Sequence, residues 1–417
     1  MKKLFKIFFI LIFIIAYGMV YPEIKISVKK ITGKVIILQA EGLSDHNITA
    51  FDSEKGIIIV DTDVSPVLAR AVRSKIEEIF GKKKFIYVIN THAHGDHTYG
   101  NQEYTDALIV GHENCLKEMS GFNEDAERDS KQFPAIIDRL SERLNKMEAG
   151  TTEYISLKNT IDSYKVYLEG ISNGFISTPP SVTFSDKLNL DCGDLTFELT
   201  WFGNAHSKSD ILIYCPGENI LLTGDLFIPK MNPPYLNSDN YKELGNWINH
   251  LEKYFGSGDK NILVIPGHDN GLTAADMNEL FAYLKHESGR IAGKENAFTF
   301  FNMEKEKSGT EAGIAKLEAL IQFTDKYFIL EGDLVSAGYN SLYWEKDTAC
   351  AVQLFEILAK QFPDSWNAFD CLGEAYMTAN NIEKSIDCYK KSLELNPQNS
   401  NASEKIDRLM SIMNENM

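Results

Sequence analysis

The segment that most constrains this chain is THAHGDH at residues 91–97, which directly follows the apolar run Phe85–Ile89. The run predicts a β-strand, and the segment behind it carries four side chains that bind zinc well. These four are His92, His94, Asp96 and His97. One turn of chain cannot direct all four at one ion. Gly95 allows a sharp bend, so we expect the first two histidines to bind one metal, and the aspartate and the last histidine to bind a second.

Three later residues repeat the pattern of an apolar run, a glycine and a metal-binding side chain. They are His206, Asp225 and His268. The runs before them are LTFELTWF at 195–202, ILLTG at 220–224 and ILVIPG at 262–267. Ligands gather on loops that a rigid sheet holds in place, so the repeated pattern predicts one shared site.

In this order of ligands the chain resembles the metallo-β-lactamase superfamily, whose motif His-x-His-x-Asp-His is matched at residues 92–97. The similarity spans roughly residues 28–294. It implies an α/β fold, the αββα sandwich of that superfamily. It also implies three groups of ligands: His92, His94 and His206 for a first zinc, Asp96, His97 and His268 for a second, and Asp225 as the bridge between them.

Asp61, at the end of GIIIV, resembles the family's buried acid that hydrogen-bonds the metal loop and fixes its ligands. The other histidines receive no role in binding metal. His112 ends another strand near the site, and we expect it to pack or to support the ligands. His46, His250 and His286 stand in polar or helical surroundings, and we expect them to face solvent.

Composition and patterning predict four parts of the chain, the second of which contains an insertion. Residues 1–20 combine a basic start with an apolar stretch and small residues, as in a secretory signal peptide. Residues 24–297 form the predicted catalytic domain, in which about 113–172 is a charged, helical insertion. The insertion is either ordinary packing or a lid over the substrate pocket. Residues 298–330 form a helical connector, and 331–417 form an all-α domain of tetratricopeptide-like repeats.

The repeats are predicted from residues that recur 34 positions apart, as Ala351, Phe355 and Pro363 recur as Ser385, Tyr389 and Pro397. The second copy is clear, with LGEAY at 372–376, whereas the first matches only loosely at Gly338. Two helix pairs and a capping helix at about 403–413 are expected. Such repeats bind a peptide or protein partner, or they stabilise or dimerise the chain.

The formal net charge of −17 disfavours nucleic acid as a partner, because an acidic surface repels phosphate backbones. A small-molecule substrate fits better, since two dications in a cleft would dominate the local field. The signal peptide predicts export to the periplasm or the medium. The membrane becomes a partner only if that segment stays uncleaved.

Together these observations predict an enzyme: a binuclear zinc hydrolase in which a metal-bridging hydroxide cleaves an ester, thioester, lactone or amide-type bond. Asp96 and Asp225 are the predicted catalytic carboxylates, since either can steer the proton of the nucleophile. Zinc is expected, and iron or manganese would also suit a site with a bridging carboxylate. Two alternatives stay open, an exported zinc β-lactamase and a repeat-based binding module with a residual metal site.

Overall fold

The computed structural model describes residues 23–227, 236–256, 262–268, 274–397 and 399–415, so the predicted signal peptide at 1–20 lies outside the described residues. The chain divides into two compact units. The first comprises Met1–Gly111 with Cys115–Thr183, and the second His112–Asn114 with Phe184–Met417. The predicted boundaries of the catalytic domain, the connector and the repeats stay predictions.

The first unit is built on a seven-stranded sheet whose spatial order follows the chain. Its strands are β1 (Ile26–Lys30), β2 (Val35–Ala40), β3 (Ile48–Ser53), β4 (Gly56–Val60), β5 (Phe85–Ile89), β6 (Leu108–His112) and β7 (Val182–Phe184). Strands β1 to β4 form an antiparallel meander, and β4, β5 and β6 run parallel. The run GIIIV of β4 is buried throughout, as expected for a central strand of a parallel pair.

Helix α1 (Pro66–Phe80) crosses between β4 and β5 and covers one face of this sheet. It begins where the sequence supplies a cap: Ser65 Oγ accepts a hydrogen bond from Val67 N at 3.2 Å, and Pro66 occupies the first turn. It ends before Gly81, whose φ of 83° is left-handed. Its apolar side chains pack on the strands, among them Ala69, Val72 and Ile76.

The remaining helices of the first unit carry the metal loop and the insertion. They are α2 (Gly95–Thr98), α3 (Asn114–Glu118), α4 (Phe122–Leu144) and α5 (Thr152–Ser172). The predicted helical insertion at about 113–172 is therefore confirmed as helix. Its long helices pack against each other through a cluster of apolar and aromatic side chains, including Ile137, Ile161 and Leu168.

The second unit contains a five-stranded sheet in the order β12-β11-β10-β9-β8. Its strands are β8 (Lys187–Asp191), β9 (Thr196–Trp201), β10 (Ile211–Cys215), β11 (Ile220–Gly224) and β12 (Leu263–Pro266). Neighbours from β8 to β11 are antiparallel, and β11 and β12 are parallel. Helices α6 (Leu244–Phe255) and α7 (Ala274–Ile291) cover one face of this sheet, with the fully buried Trp247 in that core.

After α7, the described part of the chain contains a pair of two-residue strands and seven α-helices, in agreement with the helix-forming composition of this region. These elements are β13 (Glu295–Asn296), α8 (Ala297–Ser308), α9 (Thr310–Leu320), β14 (Tyr327–Phe328), α10 (Glu331–Tyr339), α11 (Thr348–Gln361), α12 (Trp366–Thr378), α13 (Ile382–Leu395) and α14 (Ser400–Glu415). Helices α8 and α9 share one core with α10, α11 and α12. The connector is thus packed structure and not an extended linker.

The repeats take the predicted form of two helix pairs, α10 with α11 and α12 with α13, followed by the capping helix α14. Each pair closes over a glycine. A Cβ on Gly338 would lie 2.2 Å from the ring of Phe355, and one on Gly373 would lie 3.1 Å from the ring of Tyr389. The two glycines are 35 positions apart, one more than the period, and a π-helical turn at Asn340–Trp344 follows α10. A π turn accommodates one extra residue in a helix, which explains why the first copy matches loosely.

The predicted fold class is confirmed: two mixed sheets, each with helices on one face, precede an all-helical region of tetratricopeptide-like repeats. Within the described part of the chain, no helix combines the length and the apolar character that crossing a bilayer requires.

Candidate metal centre

The metal loop lies at the carboxyl end of β5, beside the carboxyl end of β4. These two strands are parallel, so the residues that follow them meet at one edge of the sheet. Asp61 follows β4, and residues 91–97 follow β5. Sequence positions 30 to 36 apart thereby become neighbours, at the kind of edge where α/β sheets bind their ligands.

Asp61 holds the metal loop as the sequence predicted. Its side chain is buried, and its backbone adopts a left-handed φ of 61°, which is rare for a residue other than glycine. Its Oδ1 accepts a hydrogen bond from Thr91 N at 2.8 Å. Its Oδ2 accepts one from Thr91 Oγ1 at 2.8 Å and faces His97 Nδ1 at 2.9 Å.

These contacts determine which ring nitrogen of two histidines can bind a metal. An ionised carboxylate only accepts hydrogen bonds, so Nδ1 of His97 carries the proton and its Nε2 carries the lone pair. Thr91 Oγ1 donates to Asp61 and therefore accepts from Nδ1 of His92, 3.0 Å away. The lone pair of His92 is then also on Nε2. Hydrogen-bonded imidazoles of this kind are typical of metal ligands.

The four predicted ligands of the loop lie together. The ring centroid of His92 lies 4.6 Å from that of His94 and 4.3 Å from that of His97. Asp96 Oδ2 lies 3.5 Å from His97 Nε2. His92 and His97 are buried, whereas His94 is exposed and the side chain of Asp96 is 34% exposed.

Gly95 is needed at this place, although not for the reason we gave. It does not have a positive φ and begins the one-turn helix α2. A Cβ at this position would lie 2.5 Å from the ring of Tyr99, so close packing and not a sharp bend requires the glycine.

The helical insertion packs directly under the metal loop. Ala93, between the first two histidines, is buried against Cys115, Met119 and Phe122. Tyr99, just past α2, joins the aromatic and apolar cluster of α4 and α5. Removing the insertion would therefore expose the base of the loop, which favours the packing interpretation. A lid role stays a prediction.

In the second unit, the other three predicted ligands also lie at the carboxyl ends of strands. Asp225 follows β11 and His268 follows β12, and these strands are parallel. Gly224, with φ 52°, turns the chain after β11, and its carbonyl accepts a hydrogen bond from Gly267 N at 2.7 Å. Asp225 Oδ2 lies 3.6 Å from His206 Nε2 and 3.1 Å from His268 Nε2.

His206 lies on a loop that short polar side chains brace. Asp210 is buried and accepts hydrogen bonds from Ser207 N at 2.6 Å and from Ser207 Oγ at 2.9 Å. Asn240 Nδ2 donates to the carbonyl of Ala205 at 3.0 Å. The spacing Ser-x-x-Asp was visible in the sequence and is typical of such local bonds, whereas the contribution of Asn240 comes from a distant loop.

The expectation for His46 was wrong. Its ring is buried, Nε2 lies 3.0 Å from Asp96 Oδ2, and the ring meets that of His97 edge-on at 5.5 Å between centroids. Burial alone would lower its pKa, but the carboxylates of Asp63 and Asp96 outweigh this effect and raise the pKa above its ordinary value. No local pattern marks His46, because its importance comes from a residue 50 positions later.

The remaining histidines differ in how far they are buried. His112 packs as expected: its ring stacks on Trp201 at 4.9 Å between centroids, and its Nε2 lies 3.0 Å from Ser185 O. His286 is exposed, as expected. The expectation for His250 was only partly right, since it is half-buried beside Phe202, and burial lowers its pKa.

The donor set fits a divalent metal. Each unit presents imidazole nitrogens beside a carboxylate, which is the chemistry that zinc and similar cations prefer. The hydrogen bonds of Asp61 and Thr91 leave Nε2 of two buried imidazoles as the ligand atom. The ligand atoms of His92 and His94 lie within 4.8 Å of each other. The same limit holds among the ligand atoms of His46, Asp96 and His97.

Comparison with protein families agrees with this site. The model described as "Metallo-beta-lactamase superfamily" matches residues 42–268, more than half of the chain, and a tetratricopeptide-repeat model matches residues 371–399. The chain belongs to the metallo-beta-lactamase superfamily. The predicted family is confirmed, and membership in it supports the prediction of an enzyme.

Similar proteins include a sulfatase and lactamases. An (R)-specific secondary-alkylsulfatase of Pseudomonas sp. is 24% identical over 277 residues, covering 62% of this chain and 40% of the sulfatase. The chain thus spans well under half the length of that relative. Among solved structures, the inverting sec-alkylsulfatase Pisa1 of Pseudomonas sp. covers 85% of this chain and 62% of its own, at 16% identity and a TM-score of 0.44. A metallo-beta-lactamase from Pontibacter korlensis covers 63% and 99%, at 16% identity and a TM-score of 0.41.

Proposed function

We propose that the seven ligands form one binuclear zinc centre and that the protein is a hydrolase of small molecules. The observation that carries the proposal is the position of Asp225. One of its oxygens, Oδ2, lies within 3.6 Å of His206 Nε2 and 3.1 Å of His268 Nε2, histidines that are expected to bind different ions. A carboxylate between two such imidazoles is suited to bridge two metals.

The order of the residues supports the same proposal. All seven ligands fall inside the single family match at residues 42–268, although three of them lie far along the chain from the other four. The loop at 91–97 follows β5, which is parallel to β4, and Asp225 and His268 follow the parallel strands β11 and β12. Either set of ligands alone would lack side chains that the proposed two-metal site needs from the other set.

Two divalent ions bound there would supply Lewis acidity and a water molecule that ionises near neutral pH. The protein contributes the rest. Asp61 fixes the ring of His97, and the buried Thr91 fixes that of His92. The carboxylate oxygens of Asp96 and Asp225 can accept the proton of the attacking water and return it to the leaving group. Residues 170–174, Gly-Ile-Ser-Asn-Gly, fit the pattern Gly-x-Ser-x-Gly, but Ser172 is the last residue of α5 and does not stand on the strand-to-helix turn of a serine elbow. A metal-activated water would therefore be the nucleophile for an ester, thioester, lactone or amide-type bond.

Elemental analysis of the purified protein tests the centre, and the predicted result is two equivalents of zinc. A His94→Ala or Asp96→Ala variant should lose turnover and part of the metal. His286→Ala is the matched control, because its exposed ring makes no contact with the ligands described here. A protein that keeps less than one equivalent, or variants that act like the wild type, would favour the binding-module alternative.

The match to a secondary-alkylsulfatase favours a second candidate, the hydrolysis of sulfate esters. A sulfate monoester carries a negative charge that two dications would attract. A panel of carboxylic ester, thioester, lactone, amide, nitrocefin and secondary alkyl sulfate substrates separates the candidates. Turnover of the sulfate alone would identify the second candidate, and turnover of nitrocefin would identify the β-lactamase alternative.

Export and partner binding belong to the same proposal. The N-terminal sequence at 1–20 supports a cleaved signal peptide, and the mass of the protein recovered from the periplasm or medium tests it. The repeat match at residues 371–399 supports a peptide or protein partner for the C-terminal helices. Full-length protein that remains in the cytoplasm would contradict export.

A further inference from the structure

A loop between β2 and β3 brings a fifth side chain to the metal loop of the first unit. His46 Nε2 lies 3.0 Å from Asp96 Oδ2, a hydrogen-bond distance. Its other nitrogen, Nδ1, lies 2.5 Å from Ser44 Oγ and 3.6 Å from Asp63 Oδ1. The ring is therefore held at both ends and cannot rotate without breaking one of these contacts.

The groups behind His46 are themselves fixed. Asp63 is fully buried and has a left-handed φ of 72°, and its Oδ1 accepts a hydrogen bond from Val64 N at 2.7 Å. A non-glycine residue keeps such a backbone conformation only where its surroundings hold it. Asp63, His46 and Asp96 thus form a row in which a rigid acid backs an imidazole that contacts a predicted ligand.

The loop itself is tied to the helical insertion. Ser163 Oγ on α5 donates a hydrogen bond to the carbonyl of Leu43 at 2.7 Å, and Leu43 packs in an apolar cluster with Val166. The loop that carries His46 is thus anchored to a helix more than 100 residues away in sequence.

Asp96 needs such support more than His92 and His97, which are the buried ligands of the loop. Its side chain is 34% exposed, and it stands on α2, a helix of only four residues. A carboxylate that can turn toward water must lose rotamer freedom when it binds a metal, which weakens binding. A hydrogen bond from a fixed imidazole removes part of that cost before the metal arrives.

We propose that His46 is a positioning residue that orients Asp96 and thereby sets the affinity of the second metal. This inference rests on the proposed binuclear centre. The first metal, expected on His92, His94 and His206, should depend on His46 only weakly.

The test is a metal titration of three full-length variants after removal of metal, with a competing chelator and with Co²⁺ as a spectroscopic probe. His46→Ala should weaken the second equivalent about 10- to 100-fold and leave the first nearly unchanged. It should also alter the Co²⁺ absorption of the second site. His46→Gln keeps an N–H donor near the position of Nε2 and should recover a large part of the affinity. His286→Ala should match the wild type.

The melting temperatures of the metal-free proteins separate positioning from folding. We expect His46→Ala and the wild type to melt within a few degrees of each other without metal. Unchanged affinity for the second equivalent in His46→Ala would overturn the inference, as would a His46→Gln variant no better than His46→Ala or a large loss of stability without metal. A wild type that binds fewer than two metals would instead overturn the proposed function.

Discussion

Asp61 supports the metal loop through a carboxylate, so Asp61→Asn tests the reasoning most sharply. Asparagine has nearly the same size and tolerates the left-handed φ of 61°. Its remaining oxygen can still accept from Thr91 N. The new NH₂ group, however, replaces the oxygen that faces both Thr91 Oγ1 and His97 Nδ1. An NH₂ group donates and cannot accept, so the Nδ1 proton of His97 loses its partner.

The size of the effect follows from that contact. Either His97 keeps its proton on Nδ1 without an acceptor, or the proton moves to Nε2 and blocks the atom that binds metal. A hydrogen bond to a charged group contributes about 1.5 to 3 kcal/mol. Since about 1.4 kcal/mol corresponds to a factor of ten, Asp61→Asn should weaken the metal held by His97 about 10- to 100-fold.

Titration with a competing chelator measures this affinity for each metal equivalent. Glu54→Gln removes one negative charge from an exposed residue of the β3–β4 turn and is the matched control. It should bind both metals like the wild type. The reasoning fails if Asp61→Asn also retains both metals with wild-type affinity, because the proton on His97 would then not be controlled by the acid.

Three further predictions concern the packing and the repeats. Gly95→Ala should lower the free energy of unfolding by about 1 to 3 kcal/mol in a denaturant titration, because its Cβ would lie 2.5 Å from the ring of Tyr99. Gly33→Ala is the control and should leave the free energy of unfolding nearly unchanged, because the space around Gly33 is open. Gly338→Ala should destabilise the repeats by a similar amount, because its Cβ would meet a ring at 2.2 Å. Gly245→Ala is its control, and equal stability of the two would refute the overlap. Burial raises the pKa of Asp370, so the folded protein keeps that proton to a higher pH than the unfolded chain. The free energy of unfolding should therefore fall as pH rises from about 4 through the folded pKa, and Asp370→Asn should flatten that fall; parallel pH profiles would contradict it.

The sequence alone predicted the chemistry of the centre because the signals were local. The segment at 91–97 follows an apolar strand directly, and each later ligand comes one to three residues after a glycine at the end of another apolar run. The repeats were visible for the same reason, since equivalent residues recur at a fixed spacing along the chain. The helical character of the insertion also follows from local periodicity.

Tertiary structure decided what depends on distant neighbours. The place of His46 beside Asp96 could not be predicted, because 50 residues separate them and the loop is held by α5. The need for a glycine at position 95 comes from the ring of Tyr99, and not from its backbone angles. A sequence pattern reports which side chains a strand end carries, but contacts across the fold determine which of them hold the others in place.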